Sequence, residues 1–538
     1  MEQLDDDELS ARLDAALRAK TIGDLDALIG DLNVATMQDL EAVATTGRTV
    51  PAVTPRGVLV RPTRPAAKVI AAIAAATLLV GGGFAVRALV VNDASSPPAV
   101  QPAERPQGPA EPVIPGQIVP PASFGTLGVS TGTADALYNA VTLAPDGTRI
   151  AVGYTADGPA APGGTSDTAR NAVIAAFGPD GVPLWDTIVG GSGDDEFTAV
   201  AVTPHGDLIA VGHTSSPDGD FPVSHGPGRT DGVVASFAPD GTLQWAHTYG
   251  GGKDDYFQDV VVDAEGNIVV AGSSWSQDGD FPTRSATGAD YDAVVAMMSA
   301  TGELTWGRTY GGRGHDGFAS LALTPDGRLA AAGYTAGVDG DFPAPNADGQ
   351  TRDAVVAGLD DDGNLLWQHV LGGSSQDEFA SVAVDADGRV MAVGSASALN
   401  GDFGHGTDAV YAAAALFSPA GEPIWVRSWG GPGQSAFWDV TAGDEGFIAV
   451  GNTNATSGDF ASRHGSSDDG LLARVTPAGD LTGWSTWGGS GGESFRAIVM
   501  ADARAAIAVG FTSSSTWEGD FPPNTAGSGG LLAQFGLT

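Results

Sequence analysis

From about residue 123 to its end, the chain alternates apolar and polar positions over short runs, broken by glycine- and aspartate-rich turns. The stretch Asp231–Pro282 shows the unit most clearly. It holds four such runs, VVASF, LQWAHTY, FQDVVV and IVVAG, each of strand length and each bounded by residues that break a strand. The unit then recurs. Its tryptophan returns as Trp185, Trp245, Trp306, Trp367, Trp425 and Trp484, and the Gly-Asp-Phe triplet that closes it returns at Phe221, Phe281, Phe342, Phe403, Phe460 and Phe521. A period of about 60 residues with four strands per copy marks one supersecondary unit repeated many times.

The runs keep one order in every copy. First comes the run after an acidic loop (FTAVAVTP, FQDVVVDA), then one of the type IVVAGSS, then DAVVA, then the run that carries the tryptophan. Tight turns such as Ala264-Glu265-Gly266 and Pro239-Asp240-Gly241 join first to second and third to fourth, which is a hairpin signal. The first three runs recur seven times, and the fourth occurs as six tryptophan copies plus a candidate at Phe124–Val129. These counts predict an all-β fold, a seven-bladed β-propeller with four-stranded blades over residues 123–538. The repeats begin with a fourth-type run and end with a third-type run, LLAQFGL. Side by side the two complete one blade. The ring is therefore expected to close by the N-terminal strand pairing with C-terminal strands, which removes the edges of an open array.

Ahead of the repeats the pattern changes. Residues 1–50 read as a short helical region, with Leu9, Leu13 and Leu17 on one helical face and Leu25, Leu28, Ile29 and Leu32 on another. Residues 51–68 are basic. Val69–Val91 is apolar apart from Arg87 near its end, and reaches the roughly 20 residues that span a bilayer, so it is expected to be a transmembrane helix. Arg48, Arg56, Arg61, Arg64 and Lys68 flank its N-terminal side, against Arg105 beyond the other end. Positive charge stays inside, which predicts a single-pass protein of the cell membrane with a cytoplasmic N-terminus and an extracellular propeller. Residues 92–122 are Pro-rich and read as an extended extracellular linker.

The words DAVVA, PDG, LxW, YGG, DD, VAVD, GNI and GDFP resemble the bacterial β-propeller repeat known as the SBBP repeat, most specifically in the blades centred on Trp245 and Trp306. That resemblance implies a secreted or surface-attached scaffold with no defined chemistry. Ala11–Leu32 resembles the second half of a small actinobacterial domain of unknown function that precedes a membrane helix. The order of acidic helices, Arg-rich segment and membrane helix is also similar to the cytoplasmic stubs of membrane-bound anti-sigma factors. This implies a cytoplasmic protein partner for residues 1–50.

The chain carries 65 acidic against 25 basic side chains, a net charge of −40, and most of that excess lies in the repeats. Such a surface repels phosphate backbones, which excludes nucleic-acid binding by the repeats. The absence of cysteine excludes disulfides, thiolate metal sites and cysteine nucleophiles.

In a radial blade the long loops share one face, and the acidic ones place Asp195, Asp255, Asp316, Asp377, Ser435 and Glu493 two residues before an aromatic. If these positions ring the mouth of the channel, Asp195, Asp255, Asp316 and Asp377 form a candidate site for Ca2+, with His315 and Glu493 as further ligand-binding candidates. The alternative is that each acid caps its own turn. The DGDFP motifs at Asp218–Pro222, Asp278–Pro282 and Asp339–Pro343 lack the ligand number of a calcium loop and read as structural turns. A ligand site on a ring must break its symmetry, which singles out the blade-specific residues His213, His225, Trp275, His315, Trp438 and Trp517. No HExxH or phosphate-loop pattern is present, and no catalytic constellation is found. The leading expectation is a binding or scaffold module for an extracellular protein, glycan or small ligand. The alternatives are a transmembrane sensor, or a metal-assisted lyase or hydrolase at the channel mouth.

Overall fold

A computed structural model describes residues 118–119, 124–127 and 136–537, apart from loop stretches at 156–168, 222–224, 226–227, 282–289, 344–350, 398–399, 405–408, 462–466 and 514–528. The expected helical, basic and membrane segments (residues 1–50, 51–68 and 69–91) lie outside these residues, as does most of the linker. Among the described residues every regular element is a strand. None is a helix long and apolar enough to cross a membrane.

The alternating runs form seven antiparallel sheets. The first four are Ala136–Leu143, Arg149–Thr155, Asn171–Phe177 and Pro183–Val189; then Asp195–Val202, Leu208–Thr214, Asp231–Phe237 and Leu243–Tyr249; then Asp255–Val262, Ile268–Ser274, Asp292–Met298 and Leu304–Tyr310; then Asp316–Leu323, Leu329–Thr335, Asp353–Leu359 and Leu365–Leu371. The fifth and sixth are Asp377–Val384, Val390–Ser397, Val410–Phe417 and Pro423–Trp429; and Ser435–Gly443, Gly446–Thr453, Asp469–Val475 and Leu481–Trp487. In each of these six the four strands pair in chain order.

Why the middle runs are apolar throughout follows from where they sit. Second and third strands are buried on both faces, as in Asn171–Phe177 and Asp231–Phe237. They therefore read as continuous Val, Ala and Ile with no polar face. Each of the seven hydrophobic cores lies between two neighbouring blades. One joins Ile150, Val152 and Ile174 of the first blade to Phe197, Phe221 and Phe237 of the second. The seventh joins Tyr138, Val173 and Phe177 of the first blade to Ile507, Val509 and Leu532 of the last. Among the described residues, all seven draw their members from residues 136–537.

The repeated tryptophan and the repeated PDG-type turn explain one another. Gly241 takes φ +84°, a backbone that favours glycine. A Cβ there would stand 2.5 Å from Cε3 of Trp185, because the indole of one blade lies flat on the turn of the next. The same meeting recurs at Gly302 with Trp245 and at Gly363 with Trp306.

The seventh blade contains Glu493–Asp502, Ala505–Thr512 and Gly529–Leu537, and its outer edge is supplied from the N-terminal side. Phe124–Leu127 pairs antiparallel with the last strand, Phe124 opposite Ala533 and Leu127 opposite Gly530. Ile118–Val119 extends the same edge, opposite Leu537 and Gly536. Across the seam Arg149 donates from Nη2 to Oε1 of Gln534 at 2.6 Å. The closure is the one expected, with the strand ending at Leu127 and a second short segment added. A chain that starts at Thr133 leaves Gly529–Leu537 as an open edge. It is expected to melt lower and aggregate more readily than one starting at Gln117. Equal melting of the two, measured by circular dichroism, would contradict this closure.

Candidate functional site: the central channel

Six of the seven first strands begin at a buried acid or hydroxyl, and the first begins at Ala136. Asp195, Asp255, Asp316, Asp377, Ser435 and Glu493 are at most 2% exposed. Each acid closes a clasp between blades. The backbone N–H of Asp255 donates to the carbonyl of Thr230 in the preceding blade at 2.8 Å, and Asp316, Asp377 and Glu493 repeat this with Tyr291, Arg352 and Asp468. The carboxylates turn to their own loops. Asp195 Oδ2 accepts from Gly191 N–H and from Ser216 Oγ, both at 2.8 Å, while Thr214 donates to Oδ1. Asp255 accepts from Gly251 N–H at 2.9 Å and Ser276 at 2.8 Å. Asp377 accepts from Gly373 at 3.0 Å and Ser397 N–H at 3.2 Å, and Glu493 from Gly489 and Thr512, both at 2.8 Å. Of the two arrangements open from sequence, the hydrogen bonds are those of turn capping. Among the described residues no three His, Asp or Glu side chains converge as a metal site.

The DGDFP loops finish the clasp. Asp220 Oδ2 accepts from Gly190 N–H at 3.1 Å and Asp218 Oδ1 from Ser192 N–H at 2.7 Å. Asp278 and Asp280 hold Gly252 and Gly250 in the same way, at 2.8 and 3.0 Å. In the fifth blade Asn400 does what Asp218 does, accepting from Ser374 N–H at 2.8 Å. These are the structural turns expected, and they bind the two long loops of each blade to one another.

The channel is shaped by a different residue. Every first strand carries a β-bulge directly after its aromatic: pairing passes from Tyr138 to Ala140, from Phe257 to Asp259, from Phe437 to Asp439 and from Phe495 to Ala497. A bulge inserts one unpaired residue and re-aims its side chain. The seven bulge residues are Asn139, Thr198, Gln258, Ala319, Ala380, Trp438 and Arg496. Six of them line a cavity of about 750 Å³ at the centre of the ring, with Tyr154, Tyr334 and Phe511 from second strands. Thr198 instead turns its hydroxyl to the carbonyls of Val211 and Phe257, at 3.1 and 3.0 Å, and its single hydrogen is shared between them. Seven equivalent positions thus hold six residue types, and the sevenfold pattern is broken where a ligand would sit.

Charge in the channel is unevenly balanced. Glu196 lies 3.5 Å from Arg170 and accepts from Asn139 Nδ2 at 2.8 Å, and Glu378 lies 3.5 Å from Arg352. Arg496 has rings for neighbours, its guanidinium carbon 4.5 Å from the centroid of Trp438 and 5.5 Å from that of Phe511. Burial draws its pKa below the ordinary arginine value, while the nearby charges of Tyr154 and Asp468 act the other way.

Of the blade-specific residues singled out from sequence, Trp438 lines the cavity. His213 lies at its margin, its Nε2 4.0 Å from Glu196 and its ring 5.2 Å from that of Tyr256; burial lowers its pKa. His315, Trp275 and Tyr291 stack together away from the cavity lining, and His315 accepts from Tyr291 N–H at 3.2 Å. His225 contacts Asp231, and Trp517 lies outside the described residues. Arg496, Glu196 and Glu378 escaped the sequence reading. Their signal was present all the same: the positions on either side of each repeated aromatic, before it for the two acids and after it for Arg496, vary from blade to blade.

No protein-family model matches the chain, and no curated protein is similar to it in sequence. Among solved structures it is similar to the Pan2 WD40 domain of Neurospora crassa, at 9% identity and a TM-score of 0.43 over 75% of this chain and 90% of that one. A catalytically inactive virginiamycin B lyase from Staphylococcus aureus, solved with quinupristin, matches at 10% identity and a TM-score of 0.39, covering 77% of this chain and 99% of that one. Sqt1 from Chaetomium thermophilum matches at 12% identity and a TM-score of 0.36, over 77% of this chain and all 100% of that one.

The clasps give the ring a dependence on pH. Burial is the main cause that raises the carboxyls of Asp195 and Asp255 from 3.8 to about 6, Asp316 to about 7 and Asp377 to about 8. The charge of Asp353 adds to the rise at Asp377. In the folded chain these groups keep protons that the unfolded chain has lost. Their contribution to stability is complete below about pH 4 and declines as pH rises through each folded value. The melting temperature of the propeller is therefore expected to fall between pH 5.5 and pH 8.5. Asp353→Asn should flatten the upper end of that fall, since an amide already stands in this place at Asn171, beside Asp195. A profile that Asp353→Asn leaves unchanged would remove Asp377 as the cause.

Proposed function

We propose that the protein is a membrane-anchored binding module of the SBBP-repeat kind, held by one transmembrane helix at residues 69–91, with the propeller outside the cell and its ligand site in the central channel. The observation that carries this reading is the departure from symmetry at the bulges. A ring built only as a scaffold has no need to vary a position that faces the channel in nearly every blade. Here two neighbouring blades present Ala319 and Ala380, and the next two present Trp438 and Arg496. Small side chains leave space in two blades, and an aromatic and a cation stand in the two that follow. A cavity of about 750 Å³ lies in the size range of small-molecule sites, which are apolar with a few placed polar groups.

The double substitution Ala319→Trp with Ala380→Trp fills that space from two positions. In a saturation-transfer NMR screen of small aromatic and sugar-like fragments, those that bind the natural propeller should lose their signal with the filled variant. Fragments that bind equally to both would place the site elsewhere. The anchor is tested separately. Protease added to intact, wall-stripped cells should remove the propeller and spare residues 1–68, and a propeller protected from that protease would overturn the orientation.

A further inference from the structure

We infer that the ligand class of the channel is a small organic anion with a flat apolar body, its acid group on Arg496 and its ring against Trp438 and Phe511. This inference rests on the channel being the binding site and adds the chemistry that the site selects. Three charged side chains line the cavity: Glu196, Glu378 and Arg496. The two acids are answered within the protein by Arg170 and Arg352, each at 3.5 Å. Arg496 lies over two aromatic faces; among the described residues Asp468 is the acid whose charge reaches it, and no carboxylate stands within ion-pair distance.

A guanidinium between two rings gains the attraction of their electron-rich faces. That does not use its N–H donors, which lie in the plane of the group and at its rim. Those donors favour two parallel hydrogen bonds to the two oxygens of a carboxylate or to a sulfonate or phosphate. Partial removal from water makes an unanswered cation costly, and an anion arriving in the channel relieves that cost. The bulge that aims Arg496 inward also sets it one blade from Trp438, so charge and ring are presented together. Tyr154, in the blade after Arg496, extends the aromatic wall, and Ala319 and Ala380, in the two blades before Trp438, leave room for the body of the ligand.

The net charge of −40 bears on which anions enter. Its field is screened over about 8 Å at physiological salt, so a small monoanion reaches the channel at little cost. A polyanion, with charges that stay outside over the acidic surface, is repelled. The combination selects small aromatic acids against nucleic acids and acidic polysaccharides.

The test compares two isosteric probes, 2-naphthoate and neutral 2-naphthamide, titrated calorimetrically into the propeller spanning residues 117–538. Naphthoate should bind at least about tenfold more tightly than the amide, and added salt should shrink the difference. Arg496→Gln should remove the difference by weakening naphthoate alone, and Trp438→Leu should weaken both probes. Melting curves identify any variant that has lost its fold. If Arg496→Gln does not fold, the difference between probes and its salt dependence in the natural protein decide the matter. Equal binding of both probes, lost on filling the channel with Ala319→Trp and Ala380→Trp, would overturn the anion inference and leave the channel as a binding site. Failure of both probes to bind would overturn the inference for flat aromatic ligands and remove its support from the channel reading as well.

Discussion

Five of the seven blade junctions hold an acid that water does not reach, and three demands meet on it. Its N–H reaches back to a carbonyl of the preceding blade, and one carboxylate oxygen gathers the glycine N–H of the loop that delivers the strand. Hydroxyl groups of the second strand satisfy much of what remains. A backbone N–H buried without a partner costs on the order of 1–3 kcal/mol, so this arrangement keeps the tight loop from being a liability. It also fixes the distance and angle at which the next sheet begins. The apolar cores supply the larger share of the free energy, but they are not directional. Where it is present, the clasp tells the core how far to turn, and seven nearly equal turns close a circle.

A circle made by repetition is a poor place to recognise anything, because seven identical walls offer a ligand no orientation. The bulge resolves this without disturbing the clasp. It lies three residues further along the first strand than the clasp acid, beyond the aromatic that fills the junction, and its side chain belongs to none of the seven hydrophobic cores. That freedom lets Trp438 and Arg496 occupy positions where other blades have alanine, glutamine or asparagine. Next to the bulge the strands are also stitched sideways: Asp259 accepts from Ser320 Oγ and Leu321 N–H, and Asp439 from Ser381 Oγ and Ile498 N–H. The residues that face the channel are therefore held on rigid strands rather than on loops.

Much of this was legible from the amino-acid order. Burial on both faces forces the middle strands to be apolar, so strand number, blade number and the closing phase could be counted from runs such as VVASF and IVVAG. The DGDFP loops were legible as turns, since Asp and Gly have few other uses at that spacing. The acids at Asp195, Asp255, Asp316 and Asp377 were legible as a set, but sequence left open whether they face the channel or the junction. That is decided by the twist of a strand end, which leaves no mark on composition. Arg496 was missed for a related reason. Period-two alternation places the residue after Phe495 on the face opposite the aromatic, and one extra residue in the pairing, invisible to that count, decides what it meets.

The closing edge has a consequence in time. Phe124–Leu127 is made near the start of the ring, and its partner, Gly529–Leu537, is the last strand made. At ordinary rates of synthesis, on the order of half a minute separates the two. No blade can finish its core alone, because every core is shared with a neighbour. The growing chain therefore carries an unsatisfied sheet face forward until the final strand arrives. A cell that makes this protein must shelter that face for the whole interval, and a chain truncated near its end would forfeit the seam that makes the other six junctions permanent.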